Sequence, residues 1–196
     1  MRSLLINYLE NDDLVLENNY FGSQKDDAIN LPGAQITGHL DFDGSQALWN
    51  VNMDSLRAGA LTMRRLRFQQ VWLANAKIEV LLDASDATIP GEFRMINIQV
   101  GNDLQTYKST LTTVLLQSAR IDGTLSIEGR RDEGREHAPP QSVDLSEAKV
   151  GILSFGSLAY GPIDAPKNWG RGAHLVLTNA SVQALRAGQV NNPPEP

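Results

Sequence analysis

One eight-position pattern, V-x-L-x-x-A-x-I with small variation, is written five times along this chain. It appears as Ile29-x-Leu31-x-x-Ala34-x-Ile36, Val71-x-Leu73-x-x-Ala76-x-Ile78 and Val114-x-Leu116-x-x-Ala119-x-Ile121. Two later copies are Val143-x-Leu145-x-x-Ala148-x-Val150 and Leu175-x-Leu177-x-x-Ala180-x-Val182. The first three start 42 and 43 residues apart. A second unit lies between them: Val51-x-Met53-x-x-Leu56-x-Ala58-Gly59-x-Leu61, answered 42 residues later by Phe93-x-Met95-x-x-Ile98-x-Val100-Gly101, with Leu104 one place late. The long repeat is therefore two half-repeats of 20 to 22 residues, and each half is one coil.

Within a coil, apolar residues alternate for two or three positions, break for two, then alternate again. That is the signature of very short strands joined by tight bends, and helical periodicity does not fit it. A unit this short cannot bury its own apolar face, whereas coils stacked at about 4.8 Å bury each row on the next. The sequence thus predicts an all-β, parallel β-helix with coils of about 21 residues, right-handed because parallel crossovers overwhelmingly are. Domain bounds follow: an N-terminal cap over 1–27, the repeat domain over 28–188, and a disordered tail over 189–196 ending VNNPPEP. The cap is expected to be a short amphipathic helix, with Leu4, Leu5, Tyr8 and Leu9 on one stripe covering an otherwise bare sheet edge.

The repeated alanines predict an inward position with no room for a larger side chain. Gly38, Gly91 and Gly123 share the place in I-x-G-x-[LF], where a bend would need positive φ.

Phrases such as INLPGAQITGHLDFDG, VNMDSLRAGALTM and VDLSEAK resemble a diffuse group of bacterial β-helix proteins with V-x-L-x-x-A-x-I-x-G-x-L repeats, over residues 28 to 188. Five-residue spacings such as Val71, Ala76 and Leu81 look like fragments of a pentapeptide-repeat coil, and the I-x-G-x-L phrases faintly resemble bactofilins, polymer-forming bacterial β-helices. These resemblances imply architecture. An oxidoreductase label carried by some members is not transferred, since no G-x-G-x-x-G unit, P-loop or metal-ligand cluster is present.

Composition excludes some chemistry. The chain has no cysteine, which removes disulfides and thiolate metal sites or nucleophiles. Its net charge is -6, with nine acids against three bases before residue 61 and 14 of each after it, so no overall field favours nucleic acid or an anionic membrane. The first 16 residues carry acids and no sustained apolar stretch, so no signal peptide is read, and no apolar run approaches 18 residues. A cytoplasmic location is the expectation.

Three stretches read as insertions at one phase of the cycle: Gln105 to Thr113, Glu128 to Ser142 and Gly156 to His174. Insertions at one phase of a solenoid stack on one face, often the binding face. Tyr107, Lys108, Arg130, Arg131, Arg135, His137, Tyr160, Lys167, Trp169 and Arg171 are the candidate partner-binding residues, an aromatic anchor with a charged rim; solvated loops are the bland alternative.

Other groupings are weaker. Arg57, Arg64, Arg65 and Arg67 form the only basic cluster, readable as an anion contact or as an exposed face. Asp41 with Asp83, and Asp43 with Asp86, are related by about one long repeat and could pair for glycoside chemistry or a hard cation, or serve as solvated edge charges. His39, His137 and His174 lack metal-ligand spacing. Trp49 and Trp72 fall out of the inward register. No catalytic residue, cofactor or metal is assigned. The functional expectation is a non-enzymatic scaffold for a protein partner, with self-assembly second and a carbohydrate-active enzyme third, the last on fold analogy alone.

Overall fold

The computed structural model describes residues 4–5, 10–21, 29–127, 131–132, 135–136, 140–155 and 174–186. Apart from one antiparallel pair, Arg131–Asp132 with Arg135–Glu136, its described strands are divided between two parallel sheets and the chain winds from one to the other as stacked coils. The first sheet stacks Leu4–Leu5, Ile29–Asn30, Gln46–Asn52, Arg67–Trp72, Thr88–Arg94, Thr110–Leu115, Ser142–Asp144 and His174–Val176 in that order. The second stacks Gln35–Asp41, Arg57–Thr62, Lys77–Ile78 with Leu81–Asp83, Gln99–Val100 with Asp103–Gln105, Arg120–Ser126, Lys149–Ser154 and Ser181–Arg186. Successive rungs sit 20 to 22 residues apart where the coil is regular: Ile29 lies over Val51, Val51 over Val71, Val71 over Phe93, and Phe93 over Val114.

The two-residue break in V-x-L-x-x-A is a turn. At the first corner, where the chain passes from first sheet to second, the Ala76 amide donates to the Leu73 carbonyl at 3.2 Å, and Leu56 to Met53 at 3.1 Å. The third residue of each such turn has positive φ: Gly33, Ser55, Asn75, Asn97, Ser118, Glu147 and Asn179. This is what a type II turn demands, and Pro32-Gly33 is its most favourable spelling. The turn amides also bond down the stack, as Ser55 does to the Ala74 carbonyl at 2.7 Å, so each corner stiffens the next.

Inside, the residues flanking the corners form columns. Leu31, Met53, Leu73, Met95, Leu116 and Leu145 make one, and Ala34, Leu56, Ala76, Ile98, Ala119 and Ala148 the next, all buried. The column as a whole is not restricted to alanine: the small residue belongs to the coils that carry it, and the coils between them place Leu56 and Ile98 there. Space is conserved within a coil: the rung with Met53 and Leu56 places Ala58 where its neighbours place Ile36 and Ile78. The 42-residue sequence period is this alternation of core composition, imposed on a structural period of one coil.

The bend glycines are also used differently from the expectation. Gly38, Gly91 and Gly123 do not have positive φ. They sit mid-strand where the register shifts, and a Cβ there would strike the coil below; at Gly101 it would lie 2.0 Å from the Glu79 carbonyl oxygen. Close backbone approach selects glycine at these bends.

Nor do the described residues near the N-terminus form a helix. Leu4–Leu5 pairs with Ile29–Asn30, Glu10–Asn11 with Gln35–Ile36, and Leu14–Val15 with Leu40–Asp41. The described segment extends the ladder because the first regular rung offers unpaired amides and carbonyls that a strand satisfies and a helix does not. The expected tail lies outside the described residues. No helix among them is long and apolar enough to cross a membrane.

Candidate interaction surface at the second corner

The second corner, where the chain returns to the first sheet, has a different character. Its turn residues rise through Glu17 and Asn18, Asp43 and Gly44, Arg64 and Arg65, Ser85 and Asp86, then Tyr107 and Lys108. Ladder bonds join them: the Asn18 amide to the Asp43 carbonyl at 2.8 Å, Gly44 to Arg64 at 2.8 Å, Arg65 to Ser85 at 3.0 Å, and Asp86 to Tyr107 at 2.8 Å.

Asp43 is the electrostatic centre. Its side chain is 7% exposed and accepts from Arg65 Nε at 3.0 Å and Nη2 at 2.8 Å, and from Arg64 Nη2 at 3.3 Å. The Arg65 hydrogen bonds, outweighing partial burial, hold the Asp43 carboxyl below its ordinary range, and the same contact raises Arg65. Both arginines stay more than half exposed. Two rungs beyond these arginines, the Lys108 ammonium sits 5.0 Å from the centroid of the exposed Tyr107 ring, within cation–π range.

Three hydroxyls line the inner side of this corner in place of hydrocarbon. Ser45 Oγ donates to the Leu16 carbonyl, Ser109 Oγ to the Ala84 carbonyl, both at 2.5 Å, and Thr106 Oγ1 to the Ser126 carbonyl at 2.8 Å. Ser45, Thr106 and Ser109 are buried, so these bonds satisfy groups that water cannot reach. The sequence reading missed them; the available signal was a hydroxyl standing where the register calls for an apolar residue.

Gln105 to Thr113 is not an insertion. Asp103–Gln105 and Thr110–Leu115 are regular rungs joined by the Tyr107–Lys108 turn, and only the polar Thr106 and Ser109 disguise it. The other two excursions are real. Val114 lies over Val143 and Val143 over Leu175, 29 and 32 residues on, and the added lengths follow Ile127 and Phe155, both at the second corner. Tyr107 and Lys108 thus occupy the last regular turn before two successive coils with long excursions. Arg131–Asp132 and Arg135–Glu136 pair antiparallel, with Arg131 opposite Glu136. Arg130, His137, Tyr160, Lys167, Trp169 and Arg171 lie outside the described residues.

The remaining groupings separate. Arg57 belongs to the second sheet, Arg64 and Arg65 to the corner, and Arg67 to the first sheet, so the linear cluster is spread over three faces. Asp41 and Asp83 share a column but Thr62 lies between them, and each carboxylate caps its own turn, accepting from the Asp43 amide at 2.8 Å and the Ser85 amide at 2.9 Å. The two carboxylates therefore stand two rungs apart, each engaged with its own turn. His39 Nε2 is 2.6 Å from Thr62 Oγ1. Among the described residues no group of three or more histidines and carboxylates is placed to hold a metal ion. Trp49 is 39% exposed, and Trp72 is half-buried on the outer side of the same sheet. No known protein family, characterised protein or solved structure matches this chain.

Proposed function

We propose that the chain is a non-enzymatic scaffold that holds a protein partner on the excursions of its second corner. The coils, wound in the favoured right-handed sense, form a rod, and a rod displays whatever leaves one corner as a contiguous row. The observation that carries this reading is that two successive coils lengthen at the same corner, beside the exposed Tyr107 and its Lys108. An aromatic anchor ringed by charge suits a protein interface.

Replacing residues 130–139 with a short glycine-serine turn spares the buried Pro140 and the strand after it. Affinity capture with the intact chain should recover a specific protein that the replaced chain loses, with both giving the same β-sheet circular dichroism. Equal recovery by both would dismiss the corner as the binding surface.

A second reading, end-to-end assembly as the bactofilin likeness implies, has an observation of its own. Leu177 and Leu185 continue inward columns yet are 45% and 66% exposed, whereas Leu145 and Leu153 one rung earlier are buried. Light scattering should then show growth with concentration for the intact chain and none for Leu185→Lys.

A further inference from the structure

The second sheet carries a ladder on its outer surface that neither reading uses. One outward column, in register from strand to strand, runs Gln35, Arg57, Lys77, Gln99, Arg120, Lys149 and Ser181, all exposed, with Glu10 beside Gln35 as the one acidic member at its far end. The residues two positions on are Thr37, Gly59, Glu79, Gly101, Asp122, Gly151 and Gln183.

Read rung by rung, the five central coils have a symmetric order. Arg57 and Lys149, at the two ends, stand beside glycines and have no ion-pair partner among the described residues. Inside them, Lys77 Nζ lies 3.5 Å from Glu79, and Arg120 Nε donates to Asp122 at 2.7 Å. At the centre, Gln99 and Gly101 leave a notch floored by Val100 and walled by those two ion pairs. Four rungs separate Arg57 from Lys149, a run of about 19 Å at the strand spacing.

We propose that this ladder binds an extended acidic polysaccharide, a carboxylated glycan laid along the rod axis. A straight row of donors fits a straight chain. The terminal cations take carboxylates, while the Gln99 amide and the Glu79 and Asp122 carboxylates meet hydroxyls, which both donate and accept. Single-stranded nucleic acid fits less well, because the column has no aromatic ring for bases to stack on.

The test measures binding of a linear oligogalacturonide to the intact chain at low salt, with dextran of similar length and an oligothymidylate as the other probes. The oligogalacturonide should bind, dextran should not, and added salt should weaken the complex. Arg57→Gln with Lys149→Gln should raise Kd by at least about tenfold, with circular dichroism and melting unchanged because both side chains are exposed. Arg67→Gln, on the first sheet, should leave Kd as it was. Glu79→Gln with Asp122→Asn frees two cations and should tighten binding, an effect that a merely structural role for the ladder would not produce. Binding that the double cation variant does not weaken, or no binding by the intact chain, overturns the proposal. Tighter binding of oligothymidylate through the same four positions overturns the glycan assignment.

Discussion

Asp43 and Arg65 stand on neighbouring coils of the second corner, 22 residues apart, joined by two parallel hydrogen bonds of 2.8 and 3.0 Å. The carboxylate is buried and the guanidinium two-thirds exposed, so the pair is a cap over the polar interior of that corner. Arg64 approaches the same carboxylate and reaches Asp83 at 3.9 Å, which ties three coils together.

This pair sets a pH dependence. The Asp43 carboxyl is held below the ordinary aspartate value of about 3.9, so its contribution to stability is complete above that pH and is lost as pH falls through the lower, folded value. The gap in urea midpoint between the wild-type chain and Asp43→Asn should therefore be constant from pH 5 to 7 and close progressively below about pH 4. A gap that widens on acidification would refute the assignment.

The alternating core makes a compensation testable. Ala76 lies between Leu56 and Ile98 in one column, so Ala76→Leu should destabilise by about 1 to 3 kcal/mol through overpacking. Leu56→Ala should cost about 2 to 5 kcal/mol by leaving a cavity. The double variant moves one leucine by one rung and should cost less than the sum of the two. Denaturant midpoints of the four proteins supply the coupling energy.

Two kinds of backbone position respond oppositely to glycine chemistry. Gly101→Ala drives a Cβ against the Glu79 carbonyl and should cost about 1 to 3 kcal/mol. Ser55→Gly should be neutral to stabilising by up to about 1 kcal/mol, because Ser55 holds a φ of 61° that glycine adopts freely. Thermal melts of both variants decide the matter.

At the inner side of the corner, Ser109→Ala removes the hydroxyl bonded to the buried Ala84 carbonyl and should cost about 1 to 3 kcal/mol. Ser45→Ala, which frees the Leu16 carbonyl at the less buried end of the stack, should cost less. The order of the two melting temperatures checks this.

Much of this architecture was legible because inward residues obey one rule. Val71, Leu73, Ala76 and Ile78 must all face the core, so their spacing announces both the strands and the turn at Ala74–Asn75. The N-terminal stripe misled where it is described, since Leu4 and Leu5 fit a helix as well as a strand and only the open edge of the next rung chooses between them. The polar Thr106 and Ser109 hid a regular corner for the converse reason: buried hydroxyls satisfied by backbone carbonyls look like a loop in sequence.

The sequence by itself determined the coil length, the inward register and the turn positions, because burial of one column on the next tolerates only that spacing. Tertiary structure decided which outward residues become neighbours. Mid-strand bends of two or three residues let coils differ in length, and each bend resets which side chain stands beside which across the stack. Hence Arg57 parts from Arg64, Asp43 meets Arg65, and Arg57, Lys77, Arg120 and Lys149, scattered over 93 positions, line up on one face.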